Sequence, residues 1–180
     1  MKRLMLLTAL VMSLTACGVE PGQESEGSME DQRAELLSRP SMEEASARYQ
    51  EMLTRVRDEL AVAYPWISWN YVRELHNSGC TGFNEFTTTA ESQTLGVWST
   101  EGNIPDPEWP HAEQIVARIS AEYGFTPPET VVSRPADHQI VGSDAYGAGY
   151  RFGTAKRTVL SGSTGCHLPQ AEKDKLQQSG

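Results

Sequence analysis

The stretch RPSMEEASARYQEMLTRVRDELAVAYP, Arg39 to Pro65, constrains the fold more than any other. Ala45, Tyr49, Met52, Val56, Leu60 and Ala63 recur at three- and four-residue spacing and form one apolar stripe. Ser41 and Glu44 make an S-x-x-E capping box at its start, and Pro65 ends it. Glu44–Arg48, Glu51–Arg55 and Arg55–Glu59 stand four apart on the other side, which predicts a solvated face with ion pairs along the helix. A stripe confined to one side needs an apolar partner layer. A shorter helix is predicted over Glu30 to Leu37.

The partner layer reads as a sheet. WISWNYVREL (Trp66 to Leu75) alternates: Ile67, Trp69, Tyr71 and Leu75 point one way, with Arg73 the exception. Thr94 to Thr100 predicts a second strand. Asp106 and Pro107 predict the cap and first residue of a second helix, with Ala112, Ile115, Val116, Ile119 and Tyr123 as its stripe and Gly124 as its stop. ETVVS, HQIVGSD and GYRFGTAKRTVLSG then supply three or four more strands. The expected fold is a single α+β domain over residues 39–169, a two-layer sandwich. Its mainly antiparallel sheet of about five strands is covered by two amphipathic helices. A right-handed parallel crossover is expected around Ile104 to Val132.

The ends differ in character. Lys2 and Arg3 precede an apolar run, Leu4 to Leu14, too short to span a bilayer, and Leu14-Thr15-Ala16-Cys17 fits a bacterial lipobox. Residues 1–16 are expected to be a lipoprotein signal peptide, and Cys17 the lipidation site. Two or three acyl chains there would anchor the chain firmly to the extracytoplasmic face of the cell membrane. Loss of Lys2 and Arg3 with the signal moves the formal charge from −9 to −11. Such acidity argues against nucleic acid as a partner and against adhesion to anionic headgroups. Gly/Ser/Glu-rich composition predicts a flexible acidic tether over residues 17–38, and residues 170–180 read as a disordered polar tail.

After Cys17, two cysteines remain, Cys80 and Cys166. In an exported domain they are most simply a disulfide. Two sharper alternatives rank below it. Cys166 could act as a nucleophile with a histidine base, though its neighbour His167 would point to the opposite face of a strand. His76, Cys80, Cys166 and His167 could hold zinc, though adjacent ligands suit one tetrahedral ion poorly. No phosphate loop, H-E-x-x-H or G-x-S-x-G motif is present. Trp66, Trp69, Trp98 and Trp109 are expected in the core or covering sheet edges rather than lining a ligand groove.

RPSMEE opening a helix, WISWN, SGC at Ser78 to Cys80, NIPDPEWP and LSGSTGCHLP together resemble the LppA-like lipoproteins of mycobacteria and related actinobacteria, over about Arg39 to Pro169. The resemblance implies a surface-anchored envelope lipoprotein, acylated at Cys17, with Cys80 and Cys166 paired. It offers no catalytic residues, cofactor or metal ligands. The expected role is a non-enzymatic binding or accessory module whose partner is an envelope protein, a lipid or a cell-wall component. The alternative is an extracytoplasmic hydrolase whose site, for instance His111, His138 and Asp144, is assembled only by folding.

Overall fold

The computed structural model describes residues 28–178 apart from Thr81, Asn84, Glu85, Thr87 and Thr88. The expected signal peptide, Cys17 and the first part of the expected tether therefore lie outside the described residues.

Helix α1 spans Met29–Ser38 and α2 spans Met42–Ala63. Each opens on a reciprocal capping box, Ser28 with Asp31 and Ser41 with Glu44, which satisfies two backbone donors at each start. The α2 stripe is buried as its spacing predicts, apart from the half-buried Ala63 at its end, with Leu53 added. The tether expected over residues 17–38 is corrected for its last ten residues, which are helix α1. Leu36 on α1 is fully buried against a small cluster with Cys80, Phe83, Phe86, Ala90 and Leu168, and that burial holds a helix which its polar composition conceals.

Seven strands form one sheet: β1 Asn70–Arg73, β2 His76–Gly79, β3 Glu91–Glu101, β4 Glu129–Arg134, β5 Asp137–Ser143, β6 Gly149–Thr154 and β7 Arg157–His167. The spatial order is β1-β3-β7-β6-β5-β4, with β2 also on β3, and every pairing is antiparallel. The count exceeds the expected five partly because residues 76–79 are a strand rather than a loop. Together β1 and β2 make one edge strand, interrupted at Glu74 and Leu75. The strand expected over Trp66 to Leu75 is thus shorter: Ile67 is buried ahead of it, and all four β1 residues are exposed.

Helix α3, Trp109–Glu122, carries the chain from β3 to the far edge, where β4 lies. Strands β3 and β4 run in the same direction, but β7, β6 and β5 stand between them. The expected parallel pair is therefore absent; a layer of helix crosses three strands. Gly124 (φ 88°) stops α3. Phe125 N–H donates to Ser120 O (3.2 Å) and Gly124 N–H to Ala121 O (3.1 Å), the double bond of a Schellman stop. The helix begins later than expected, with Glu108 at the cap position and no side-chain cap.

Helices α2 and α3 cover one face of the sheet. Ile140, Tyr150, Phe152 and Leu160 meet Tyr49, Met52, Leu53, Ile115 and Ile119 in the main core. The ion pairs expected along α2 form between helices instead: Arg55 with Glu122 at 2.8 Å, and Glu59 with Arg118. The expected polar tail is corrected too, because Gln170–Gln178 form a helix, α4. The Lys173 ammonium donates to Arg39 O and the Arg33 guanidinium to Leu176 O, so tertiary contacts hold α4 where composition would not.

A Cβ on Gly162 would stand 2.9 Å from Leu53 Cδ1, where α2 presses on β7. Gly162→Val is expected to destabilise the fold by about 1–3 kcal/mol through overpacking, read as a lower urea midpoint with unchanged slope. Gly149→Ala, on the opposite face with no neighbour nearer than 3.6 Å, is expected to change it little.

Candidate functional site

Two places in the fold hold residues that sequence reasoning singled out, and a third is an open surface. The first is the disulfide. Cys80 and Cys166 are bonded to each other, with Cα atoms 5.9 Å apart. Cys80 follows β2 and Cys166 sits opposite Ser92 on β3, so the bridge ties the two strands that flank the start of β3. No thiolate is left for the nucleophilic or zinc alternatives. Arg39 braces the same corner from a buried position: its Nη1 donates to Cys166 O (2.8 Å) and Tyr146 O (3.0 Å), and its Cζ lies 4.9 Å from the centre of the Phe83 ring.

His167 holds the fold together at this corner. It is fully buried, with Nδ1 2.9 Å from Pro40 O and Nε2 2.9 Å from Thr164 O. It ties β7 to the segment that leads into α2. Desolvation pushes its pKa below the ordinary value, against the pull of the two carbonyls.

The second place tests the hydrolytic alternative. His138 and Asp144 begin and follow β5, six residues and roughly 20 Å apart along an extended strand. Asp144 accepts the N–H groups of Tyr146 and Ala148, both at 2.8 Å, and the Tyr49 hydroxyl; it shapes the β5–β6 turn. His111 is exposed, beside the Tyr64 ring. His138 pairs instead with Asp106, Nε2 to Oδ1 at 2.9 Å. Asp106 also accepts Ala136 N–H at 2.8 Å, and these two bonds, the backbone one first, hold its carboxyl below the usual range. Asp106 therefore fastens the β4–β5 hairpin rather than capping α3. The His138 ring stacks on Trp109 (centroids 5.2 Å), and its Nδ1 is buried without a partner. No ring nitrogen is left to face a substrate. Among the described residues, no group of three or more His, Cys, Asp or Glu side chains is arranged to hold a metal.

The third place went unread in the sequence. The sheet face away from α2 and α3 carries an open groove of about 650 Å³. Strand register explains its lining. One cross-strand row runs Arg73, Val97, Ser161, Arg151, Val141, Glu129; the next runs Thr94, Ser163, Gly149, Ser143. All ten residues line the groove, with Thr126 and Pro127 at its β4 end. Arg73 reaches this face through a bulge. Tyr71 pairs with Trp98 and Arg73 with Val97, so the extra residue between them turns Arg73 away from the side that Tyr71 occupies. That resolves its exceptional place in the sequence pattern. None of the four tryptophans lines the groove. Trp109 is buried, Trp69 donates to Arg57 O (3.1 Å), Trp98 lies 3.6 Å under Arg57, and Trp66 covers Gly102.

Comparison with known proteins places these features in a lineage. A family model described as LppA, a lipoprotein confined to pathogenic Mycobacterium, matches residues 18–170. The crystal structure of LppA from Mycobacterium tuberculosis superposes with a TM-score of 0.68 at 16% identity, covering 81% of this chain and 88% of that one. A DUF4853 family protein from Actinomyces odontolyticus superposes with a TM-score of 0.57 at 14% identity, covering 73% of this chain and 71% of that one. At these identities the superpositions speak for the fold alone. No curated protein matches the chain.

Two outcomes follow from the corner that the disulfide closes. Its loop spans 86 residues, so Cys80→Ala/Cys166→Ala is expected to lose roughly 4–5 kcal/mol in the chain-entropy account, measured by chemical denaturation with and without reductant. The lowered His167 pKa means that the unfolded chain takes up its proton first. Its contribution to stability is present above about pH 6.5 and lost as pH falls below it. Urea midpoints at pH 7.5 and 5 should show that decline, and His167→Gln should shrink the difference.

Proposed function

The chain belongs to the LppA lipoprotein family, and on that premise we propose that it is a lipid-anchored binding module of the cell envelope, working without catalysis through the open face of its sheet. Residues 1–16 act as the signal peptide. Cys17 carries the acyl chains, and the domain stands on the extracytoplasmic face of the membrane, where an envelope protein or cell-wall component meets it. Several features support the anchor: Lys2 and Arg3, the apolar run and the Leu-Thr-Ala-Cys sequence. Among the described residues, no helix is long and apolar enough to cross a membrane. The Cys80–Cys166 bond fits an oxidising compartment.

One observation carries the binding role. The helices cover a single face, and the other presents a groove of about 650 Å³, within the range of ligand sites. The histidines and carboxylates proposed for hydrolysis sit elsewhere and apart.

Anchor and surface are tested separately. Wild-type chain made in an actinobacterial host should enter the detergent phase on temperature-induced separation and carry a diacylglyceryl mass on Cys17. Cys17→Ser should enter the aqueous phase, and its persistence in detergent would end the anchor reading. For the surface, Gly149→Phe fills the groove where a Cβ meets no atom nearer than 3.6 Å. It should abolish co-sedimentation of the Cys17→Ser chain with envelope fragments; undiminished retention would refute the groove as the binding face.

A further inference from the structure

We propose that the groove binds an acidic polysaccharide strand, its carboxylates seated on the guanidiniums of Arg73 and Arg151 and its hydroxyls on the serines and threonines between them. This rests on reading the open sheet face as the binding surface, and it names the class of ligand.

Pairing supplies the first reason. Among the described residues, eight arginines are engaged with a carboxylate, a carbonyl or hydroxyl oxygen, or an aromatic ring. Arg73 and Arg151 have no such partner, and both line the groove. In a chain with 24 acidic and 15 basic residues, acids to neutralise them are plentiful, yet the fold leaves these two cations facing one open surface. A guanidinium offers two parallel donors that match a carboxylate.

Geometry supplies the second. Arg73 and Arg151 occupy one cross-strand row, three strands apart. At the spacing of paired strands their backbones stand roughly 14 Å apart. That is too far for both to close on one small anion. It suits an extended polymer that presents charge at intervals.

The floor supplies the third. Ser161 lies in the arginine row, and Thr94, Ser163 and Ser143 form the next one. Hydroxyls both donate and accept, as sugar hydroxyls require. The large apolar pockets that would anchor peptide side chains are missing from this lining, whose apolar members are chiefly Val97, Val141 and Pro127. Backbone donors within the sheet are already used by the ladder, so a peptide could not add to it as a strand here.

The test uses full-length chain in nonionic detergent and calorimetric titration with oligogalacturonate, a linear carboxylated glycan. A neutral glucan of equal length and poly-glutamate serve as comparators. Oligogalacturonate should bind and weaken with salt. Arg73→Gln and Arg151→Gln should each cost about tenfold in affinity, while Lys156→Gln, which removes the same charge from the β6–β7 turn, should cost little. The glucan should not bind measurably. Absence of oligogalacturonate binding would overturn the proposal, as would equal effects of the arginine and Lys156 variants. Poly-glutamate binding as tightly would assign the groove to an acidic peptide and overturn it too. In any of those cases, retention on envelope fragments that Gly149→Phe still abolishes leaves the surface standing and removes only the ligand class. Loss of both results removes the surface as well.

Discussion

The packing of α2 across β7 at Gly162 governs the rest of the molecule. Leu53 lies where a side chain at that position would stand, so the helix can approach the sheet closely enough for its stripe to mesh with Leu160, Phe152 and Tyr150. Helix α3 extends that layer towards β5. Two helices supply apolar area for one face and no more. An antiparallel sheet tolerates a second face in water, and its side chains alternate accordingly. Along β7, Thr158, Leu160 and Thr164 are buried, while Val159, Ser161 and Ser163 are partly open. The groove is thus the complement of the core: the same period-two rule that sends Phe152 inward sends Arg151 outward.

The disulfide corner acts on that groove at a distance. Strand β1 is short, exposed on every residue and interrupted from β2 at Glu74 and Leu75. A four-residue edge strand has little of its own to keep it in place. Cys80 pins the far end of the same edge to β7, and the Tyr71 hydroxyl bridges the interruption by accepting Leu75 N–H at 3.0 Å. Gly96, directly across, has φ 100° and would place a Cβ 2.5 Å from the Tyr71 ring, so only glycine lets the ring lie over the break. Arg73 stands between these two fixings. Its position in the groove is set by the bulge just before it, a glycine and a bridge.

The sequence made α2 and the end of α3 legible because their start and stop signals are local. Ser41 with Glu44, the α2 stripe and Gly124 work through contacts a few residues apart. The cysteine pair was legible by its number and by the export that the N-terminal residues predict. Asp106 misled because a residue placed like a helix cap was recruited by Ala136 and His138, thirty residues on. His167 was legible only in part: strand alternation correctly turned it from Cys166, but nothing local announces that Pro40 O waits on the inner side. Helix α4 rests on Arg39 and Arg33 from the other end of the domain. The groove rows join residues from six strands, and their alignment depends on bulges in β1 and β3 that no alternation count reveals.

On the proposed reading, charge gives the groove its selectivity. A net charge of −9 repels any polyanion beyond the first few ångströms, and salt at physiological strength confines that repulsion to about 8 Å. Two unpaired guanidiniums reverse the sign only locally. Glu129, at the β4 end of the arginine row and two strands from Arg151, limits the reversal further, since a carboxylate placed beside it meets its like. An anionic strand therefore gains nothing by drifting onto this protein at large. It gains only where its charges fall on Arg73 and Arg151 while its hydroxyl-bearing stretch lies over Ser161 and past Glu129. The acidic exterior is then part of the recognition: it subtracts the non-specific attraction that a basic groove on a basic protein would have offered to every polyanion.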